Sequence, residues 1–391
     1  MRVVIIGAGV AGLGVGWRLL QAGAQVTILE RAQPAAGATW ASAGMLAITA
    51  ELEEAAEAER DLAVRANALW PGFAAELEVA SGRSVFLSRV GALLLAADAA
   101  ELEVMRTRAT GELRILDGQQ ARTLVPLLGE TVGGLWSPHE AHVDNRALGD
   151  ALAIAFLKAG GVLNANEAAV ALEPGPAVRT PYGRYEADAV LVAAGAWSGL
   201  LEDIPVGPVK GEMIALAPPP GAVLPAPVVW GEGVYCVPRP HLGENGRLLV
   251  GATVQEKGFD TATTQEARDQ LWDKAKRLMP SLKDWILADH WAGLRPKSPD
   301  GLPLLGPTLT DGVFVAGGQY RNGILFAPAI AQEMADIILG KGAVIPDFSP
   351  LRFGPKDSAG VRHERVHRRP RHPEADLSAG RLAAQPPLSL Q

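Results

Sequence analysis

The sequence predicts an α/β fold in which a Rossmann-like, doubly wound parallel sheet is interleaved with a β-rich α+β unit. Three observations predict it. The chain opens on an apolar strand that runs into a glycine pattern and a helix. Buried-strand patterns return at residues 187–194 and 312–316. The stretches between them read mostly as β.

The chain has 391 residues, too long for one compact core and suited to two domains that share an interface. At 48% hydrophobic and 20% charged it is globular, and a net charge of -7 gives no electrostatic reason to expect nucleic acid. One cysteine, Cys236, excludes a disulfide framework and points to a reducing, cytoplasmic home. The first apolar run, Val3 to Ile6, is far shorter than the roughly 20 residues a bilayer needs, and no signal peptide is expected.

Val3 to Ile6 is β-branched and continuously apolar, as a buried parallel strand is. A helix over 11–22 and a second strand over 25–30 complete a βαβ unit. Helical spacing covers residues 51–77, then short strands and a helix fill 85–140. A helix is expected over 145–158, a buried strand over 187–194, mostly β from 206 to 286, and a helix near 267–278. A last strand at 312–316 enters a glycine loop and a helix over 328–339. Residues 355–391, rich in Arg, His and Pro, lack a hydrophobic period and are expected to be disordered.

Gly7-Ala8-Gly9-Val10-Ala11-Gly12 is a G-x-G-x-x-G fingerprint directly after the first strand. Its glycines serve a tight turn, backbone approach to a pyrophosphate, and close helix–strand packing. The helix N-terminus then offers N–H groups and its positive dipole end to the phosphates. Glu30, ending the second strand, is placed to accept hydrogen bonds from an unphosphorylated adenosine ribose, hence NAD or FAD rather than NADP. The small-residue loop from Gly37 to Leu46 favours the longer flavin, whose ribityl chain must pass close to backbone.

Four motifs together resemble the D-amino-acid oxidase/sarcosine oxidase superfamily. They are the fingerprint, Ser42-Ala43-Gly44-Met45-Leu46, Ala193-Ala194-Gly195-Ala196-Trp197-Ser198, and Arg321-Asn322-Gly323-Ile324-Leu325. The resemblance covers about residues 1–350 and is nearest to the glycine oxidase branch of thiamine biosynthesis. It implies a discontinuous, glutathione-reductase-like FAD-binding domain over 1–75, 145–205 and 290–350, and a substrate domain over 76–144 and 206–289. The implied flavin contacts are Gly7, Gly9, Val10, Ala11, Gly12, Glu30, Arg31, Ala38, Thr39, Ser42, Ala43, Gly44 and Met45 in the first segment. Further along they are Val170 (or its neighbour Ala169), Gly195, Gly318, Gln319, Tyr320, Arg321, Asn322, Gly323 and Ile324. Gln319 stands where relatives carry histidine, and with no cysteine near Arg295 the FAD is expected to be noncovalent.

Arg295, Arg321, Tyr235 and Met45 are the candidate substrate ligands. An arginine fork binds a carboxylate bidentately and keeps its charge, and a tyrosine hydroxyl adds a third contact. The alternatives are an interface ion pair for Arg295, a flavin-loop ion pair for Arg321, and ordinary core for Tyr235. The resemblance implies hydride transfer to flavin from an oriented, neutral amine, with no side-chain base and no metal. His139, His142, His241 and His290 show no partner pattern and read as structural or surface residues. The expected function is therefore FAD-dependent oxidative deamination of glycine, sarcosine or small D-amino acids, with dioxygen giving peroxide. A homotetramer follows by resemblance only. The rivals are a dehydrogenase passing electrons to a quinone or carrier, and a flavin-binding homologue without oxidase activity.

Overall fold

The computed structural model describes residues 1–50 and 55–354; the expected tail and residues 51–54 of the expected helix lie outside the described residues. Six strands form one sheet in the order 304–307, 313–317, 189–192, 2–6, 25–30, 162–165. All neighbours pair in parallel except the edge strand Leu304–Pro307, which runs antiparallel to Val313–Gly317. Arg2–Ile6, Gln25–Glu30 and Ala189–Val192 are apolar on both faces: Val3, Ile5, Ile28 and Leu191 pack on helices, and Val4, Ile6, Leu29 and Val190 pack with Leu172 and Val178 of a three-stranded antiparallel sheet (171–173, 177–179, 184–186). The helices Val10–Gln21, Glu57–Ser81, Asn145–Lys158 and Ala327–Ile338 contribute Leu13, Trp70, Leu152 and Ile330 to one core. The helix expected from residue 51 is described from Glu57 and runs on to Ser81. Gly82 ends it with φ 74°, a left-handed cap that glycine adopts without a Cβ penalty.

The second sheet has eight strands in the order 286–297, 207–217, 247–251, 234–239, 228–231, 92–95, 133–137, 114–117. Its pairs are antiparallel apart from Val228–Gly231 against Ala92–Leu95. One face packs on the helix Gln265–Leu278 through Leu271, Ala275, Leu248 and Val250. The expected boundary at residue 290 falls inside strand Ile286–Lys297, which pairs along its length with Gly207–Ala217 and so belongs whole to this sheet. Cys236 is fully buried beneath it, and burial pushes its thiol up to about 12.

Candidate active site

A cavity of about 1130 Å³ runs from the carboxyl ends of the parallel strands onto the face of the second sheet. Ile6, Leu29, Ala193 and Ala316 mark four strand ends at its floor. That is where open α/β sheets bind ligands, beside the crevice at which strand order reverses.

The dinucleotide end is built mainly of backbone. Gly7 turns at φ 104°, and a Cβ there would lie 2.5 Å from the Ala193 carbonyl oxygen. A Cβ on Gly12 would lie 2.0 Å from the Gly7 carbonyl oxygen, so strand and helix meet at backbone distance. Glu30 is held in place by two backbone donors, Ala8 N at 2.8 Å to Oε2 and Ala32 N at 2.9 Å to Oε1. Arg31 stacks on Trp197, its guanidinium carbon 3.4 Å from the ring centroid. Gly9, Val10, Ala11, Ala38, Thr39, Ser42, Ala43, Gly44 and Gly195 all line the cavity, while Gly12 and Gly318 act from behind its wall.

Two expectations at this end change. Val10 N–H is not free for phosphate but donates to Thr39 Oγ1 at 3.0 Å, which leaves the Thr39 hydroxyl proton to meet an anion. Val170 is 53% exposed and its N–H donates to the Arg179 carbonyl. It does not line the cavity; Ala168 and Ala169 do.

The loop carrying Thr39 to Ala43 is pinned by three buried side chains that sequence reasoning missed. Asn145 Nδ2 donates to the carbonyls of Thr39 (2.9 Å) and Trp40 (2.8 Å). Trp291 Nε1 donates to Ala41 O at 2.9 Å. Arg239, 1% exposed, donates to Ala43 O (2.5 Å) and Val143 O (2.7 Å) through Nη2. Its Nη1 meets His142 Nδ1 at 2.9 Å. Burial above all, then the Arg239 charge, pushes the His142 imidazole down to about 3, so the ring is neutral and accepts. Glu140 holds the next stretch, Oε1 accepting from Thr49 N, and burial raises its carboxyl to about 7. No short-range signal marks these pins, because each lies about 100 residues or more from its partner.

The histidines have partners the sequence did not show. His241 Nε2 meets Asp144 at 2.7 Å, His290 meets Glu212 at 3.0 Å, and His139 meets Glu112 at 3.1 Å. None of them lines the cavity.

The four candidate substrate ligands, Arg295, Arg321, Tyr235 and Met45, all line the cavity. The loop over residues 318–325 hydrogen-bonds to the strand that bears Arg295, with Tyr320 N donating to Pro296 O at 2.8 Å. Arg295 precedes and Arg321 follows that link by one residue, and both line the cavity. Tyr320 holds a left-handed φ of 47° there, with Lys297 Nζ 5.2 Å and the Arg321 guanidinium 5.3 Å from its ring centroid. Tyr235 packs against Trp230 at 5.1 Å between centroids, and its hydroxyl lies 3.9 Å from Met213 Sδ. Met45 joins Met213, Trp230 and Tyr235 in one apolar cluster. Met213 and Trp230 were not singled out in the sequence, since neither residue type announces a ligand.

The cavity fits the dinucleotide that the sequence implies. Its volume tops the usual range for small-ligand sites, roughly 300–1,000 Å³. Gln319 lines it, is 7% exposed, and its buried Nε2 has no hydrogen-bond partner among the described residues, a polar group that calls for one.

A family model described as "FAD dependent oxidoreductase" (DAO) matches residues 2–337. The chain is 37% identical over 363 residues to the bifunctional protein ThiO/ThiG of Synechocystis sp., covering 90% of this chain and 54% of that protein. It thus spans about half the length of such bifunctional relatives. It is 34% identical over 367 residues to glycine oxidase of Pseudomonas aeruginosa, covering 90% of this chain and 98% of that one. Among solved structures, glycine oxidase from Geobacillus kaustophilus superposes with a TM-score of 0.84 at 31% identity, covering 90% and 99% of the two chains. Iminodiacetate oxidase from Chelativorans sp. gives 0.81 at 29%, covering 89% and 99%.

Proposed function

The chain belongs to the DAO family of FAD-dependent oxidoreductases, and on that premise we propose that it oxidatively deaminates glycine, with sarcosine and small D-amino acids as further substrates. The six-stranded sheet would carry FAD and the eight-stranded sheet the substrate. The observation that carries the reading is that Arg295 and Arg321, joined through the Tyr320–Pro296 link, line one cavity with the buried Gln319.

Bound FAD supplies the two-electron acceptor and the route by which dioxygen is reduced to peroxide. The rest is positioning. Arg295 and Arg321 grip the substrate carboxylate, whose planar geometry matches a guanidinium fork. The Tyr235 hydroxyl adds a third polar contact, and Met45, Met213 and Trp230 confine the Cα substituent. With no histidine in the cavity wall among the described residues, fixed orientation of a neutral amine supplies the catalysis. Glycine loses a hydride and a proton to become the imino acid. The sealed Cys236 supports noncovalent FAD. A cytoplasmic homotetramer is part of the same proposal, and light scattering of the purified protein tests the assembly.

Anaerobic mixing with glycine, watched in the flavin visible band, tests the function. Bleaching, then recolouring and peroxide on admitting air, is the expected result. A flavin that stays oxidised with glycine, sarcosine and D-amino acids alike would sink the proposal and leave the family standing.

A further inference from the structure

Arg295 sits in a seat made for it by the neighbouring strand. Strands Gly207–Ala217 and Ile286–Lys297 pair with Val209 opposite Arg295, Gly211 opposite Gly293 and Met213 opposite Trp291. Opposed residues of an antiparallel pair share a face, and Gly211, Met213, Gly293 and Arg295 line the cavity. Beyond Gly207–Ala217 the backbone continues as 252–255, bridged through Lys210 and Gln255. Arg295 crosses the intervening strand to reach it. Its Nη1 donates to Thr253 O at 3.1 Å and lies 3.4 Å from Lys210 O.

The crossing is possible only over a glycine. A Cβ on Gly211 would lie 2.2 Å from Arg295 Nη1, 2.5 Å from Nη2 and 2.6 Å from Cζ. These are its three nearest atoms, and Gly211 is not among the residues with positive φ. Nothing about the backbone asks for glycine; the guanidinium does.

The residues flanking Gly211 point to the reverse face and form a buried charge cluster. Lys210 is 1% exposed and Glu212 0%. Lys210 Nζ lies 3.3 Å from Glu212 Oε1 and 3.1 Å from Asp260 Oδ2, and it also donates to Ala262 O. Glu212 accepts from Thr264 N at 2.8 Å, Thr264 Oγ1 at 3.2 Å and His290 Nε2 at 3.0 Å. Glu212 N–H donates to Thr253 Oγ1, and Thr253 N–H to Glu212 O. The segment supplying Thr253 O is thus fastened on both sides of Gly211. Burying such a pair costs desolvation, and an apolar pair of similar volume is often as stable. Stability alone does not account for it.

We propose that Gly211 and the buried Lys210–Glu212 pair form a positioning device for Arg295, fixing one edge of its guanidinium on backbone carbonyls so that the other edge faces the substrate carboxylate. Gly211 is a specificity-determining position in consequence, since its lack of a side chain sets the depth at which a carboxylate is held. The device rests on the reading of Arg295 as a carboxylate ligand.

A double-mutant cycle on the FAD-loaded protein tests it, with Gly211→Ala made in the wild-type and Arg295→Ala backgrounds. The readouts are acetate affinity, from perturbation of the flavin spectrum, and KM and kcat for glycine. Gly211→Ala is expected to weaken acetate binding and raise KM by about 10- to 100-fold, the scale of a displaced charged hydrogen bond, with kcat changed far less. In the Arg295→Ala background its effect should fall below about twofold, the signature of coupled sites. Equal losses in both backgrounds, no loss in either, or a wild type that binds no acetate would overturn the device. Should Gly211→Ala fail to retain FAD, Glu212→Gln carries the same cycle. It should also speed amide exchange in residues 253–264, and unchanged exchange with no coupling would count against the device. A wild type that binds acetate with full coupling yet oxidises no amino acid would leave the device intact and refute the proposed function.

Discussion

The two ends of the cavity solve opposite problems with opposite materials. The dinucleotide end must admit a long ligand against the chain, and it does so by removing side chains. Gly7 and Gly12 let strand, turn and helix meet at distances no Cβ allows, and even Glu30 is oriented by the N–H groups of Ala8 and Ala32. The end proposed for the substrate would have to recognise a few charged atoms, and its wall is lined by long side chains from distant parts of the chain. Arg295 is set by carbonyls at 210 and 253, and Arg321 arrives on a loop tied to Pro296. One end depends on steric permission, the other on electrostatic placement. Substitutions should therefore fail differently at the two ends.

The largest effect is expected from Gly12→Ala. Its Cβ has no space against the Gly7 carbonyl, so FAD content after purification should fall at least about tenfold, on the scale of a severe backbone clash. Normal FAD content would show that the close helix–strand approach is not what admits the dinucleotide.

Next comes the acid response of the pins behind the loop over residues 39–43. The folded His142 titrates near 3 against 6.5 ordinarily, so the unfolded chain takes up the proton first. The neutral ring's contribution is complete above 6.5 and is lost as pH falls from there toward 3, on the order of 5 kcal/mol in full. Glu140 acts in the opposite sense. Its folded carboxyl titrates near 7 against 4.5, so its contribution falls as pH rises from 4.5 to 7. His142→Gln keeps an acceptor for Arg239 without titrating, so denaturant midpoints should lose less on going from pH 7 to 4 than the wild type's. Identical slopes would remove His142 from the account.

Arg321→Ala comes third. Loss of a charged hydrogen bond costs about 1.5–3 kcal/mol, which predicts KM for glycine roughly 10- to 150-fold higher. FAD should remain bound. An unchanged KM would take Arg321 out of carboxylate binding and blur the division between the ends. The smallest effect belongs to Arg31→Ala. Its stack on Trp197 is worth about 0.5–1 kcal/mol, so FAD affinity of the apoprotein should weaken only about two- to fivefold. A hundredfold loss would mean that placed charge matters at the dinucleotide end too.

The same division explains what could be read in advance. The glycine fingerprint, Glu30 and the helix 145–158 were legible because their chemistry is local: a turn, a strand end, a 3.6-residue period. Arg295, Arg321 and Tyr235 drew notice as residue types, but that they line one cavity belongs to the tertiary structure. Arg239 and Asn145 were missed because a buried arginine or asparagine in isolation looks like a surface residue. Of the two positions left open for the adenine contact, Ala169 lines the cavity and Val170 does not, because the sequence does not say that the Val170 N–H is taken by the Arg179 carbonyl. The domain boundary at 290 failed for a related reason: strand Ile286–Lys297 takes its sheet from its partner Gly207–Ala217, some 80 residues earlier in the chain.

Cys236 bears on how long such a catalyst lasts. An oxidase of the proposed kind releases peroxide into its own cavity at each turnover, and thiolates are the first casualties of peroxide. The strand that presents Tyr235 to the cavity turns the next residue away, with no exposed surface and its thiol titrating near 12, so almost no thiolate exists to react. Oxidative wear is then shifted onto the cavity's thioethers, Met45, Met105 and Met213, whose sulfoxides are repairable. Peptide mapping after prolonged turnover should find oxygen on those methionines before it finds any on the cysteine, and the slow loss of activity should follow their modification.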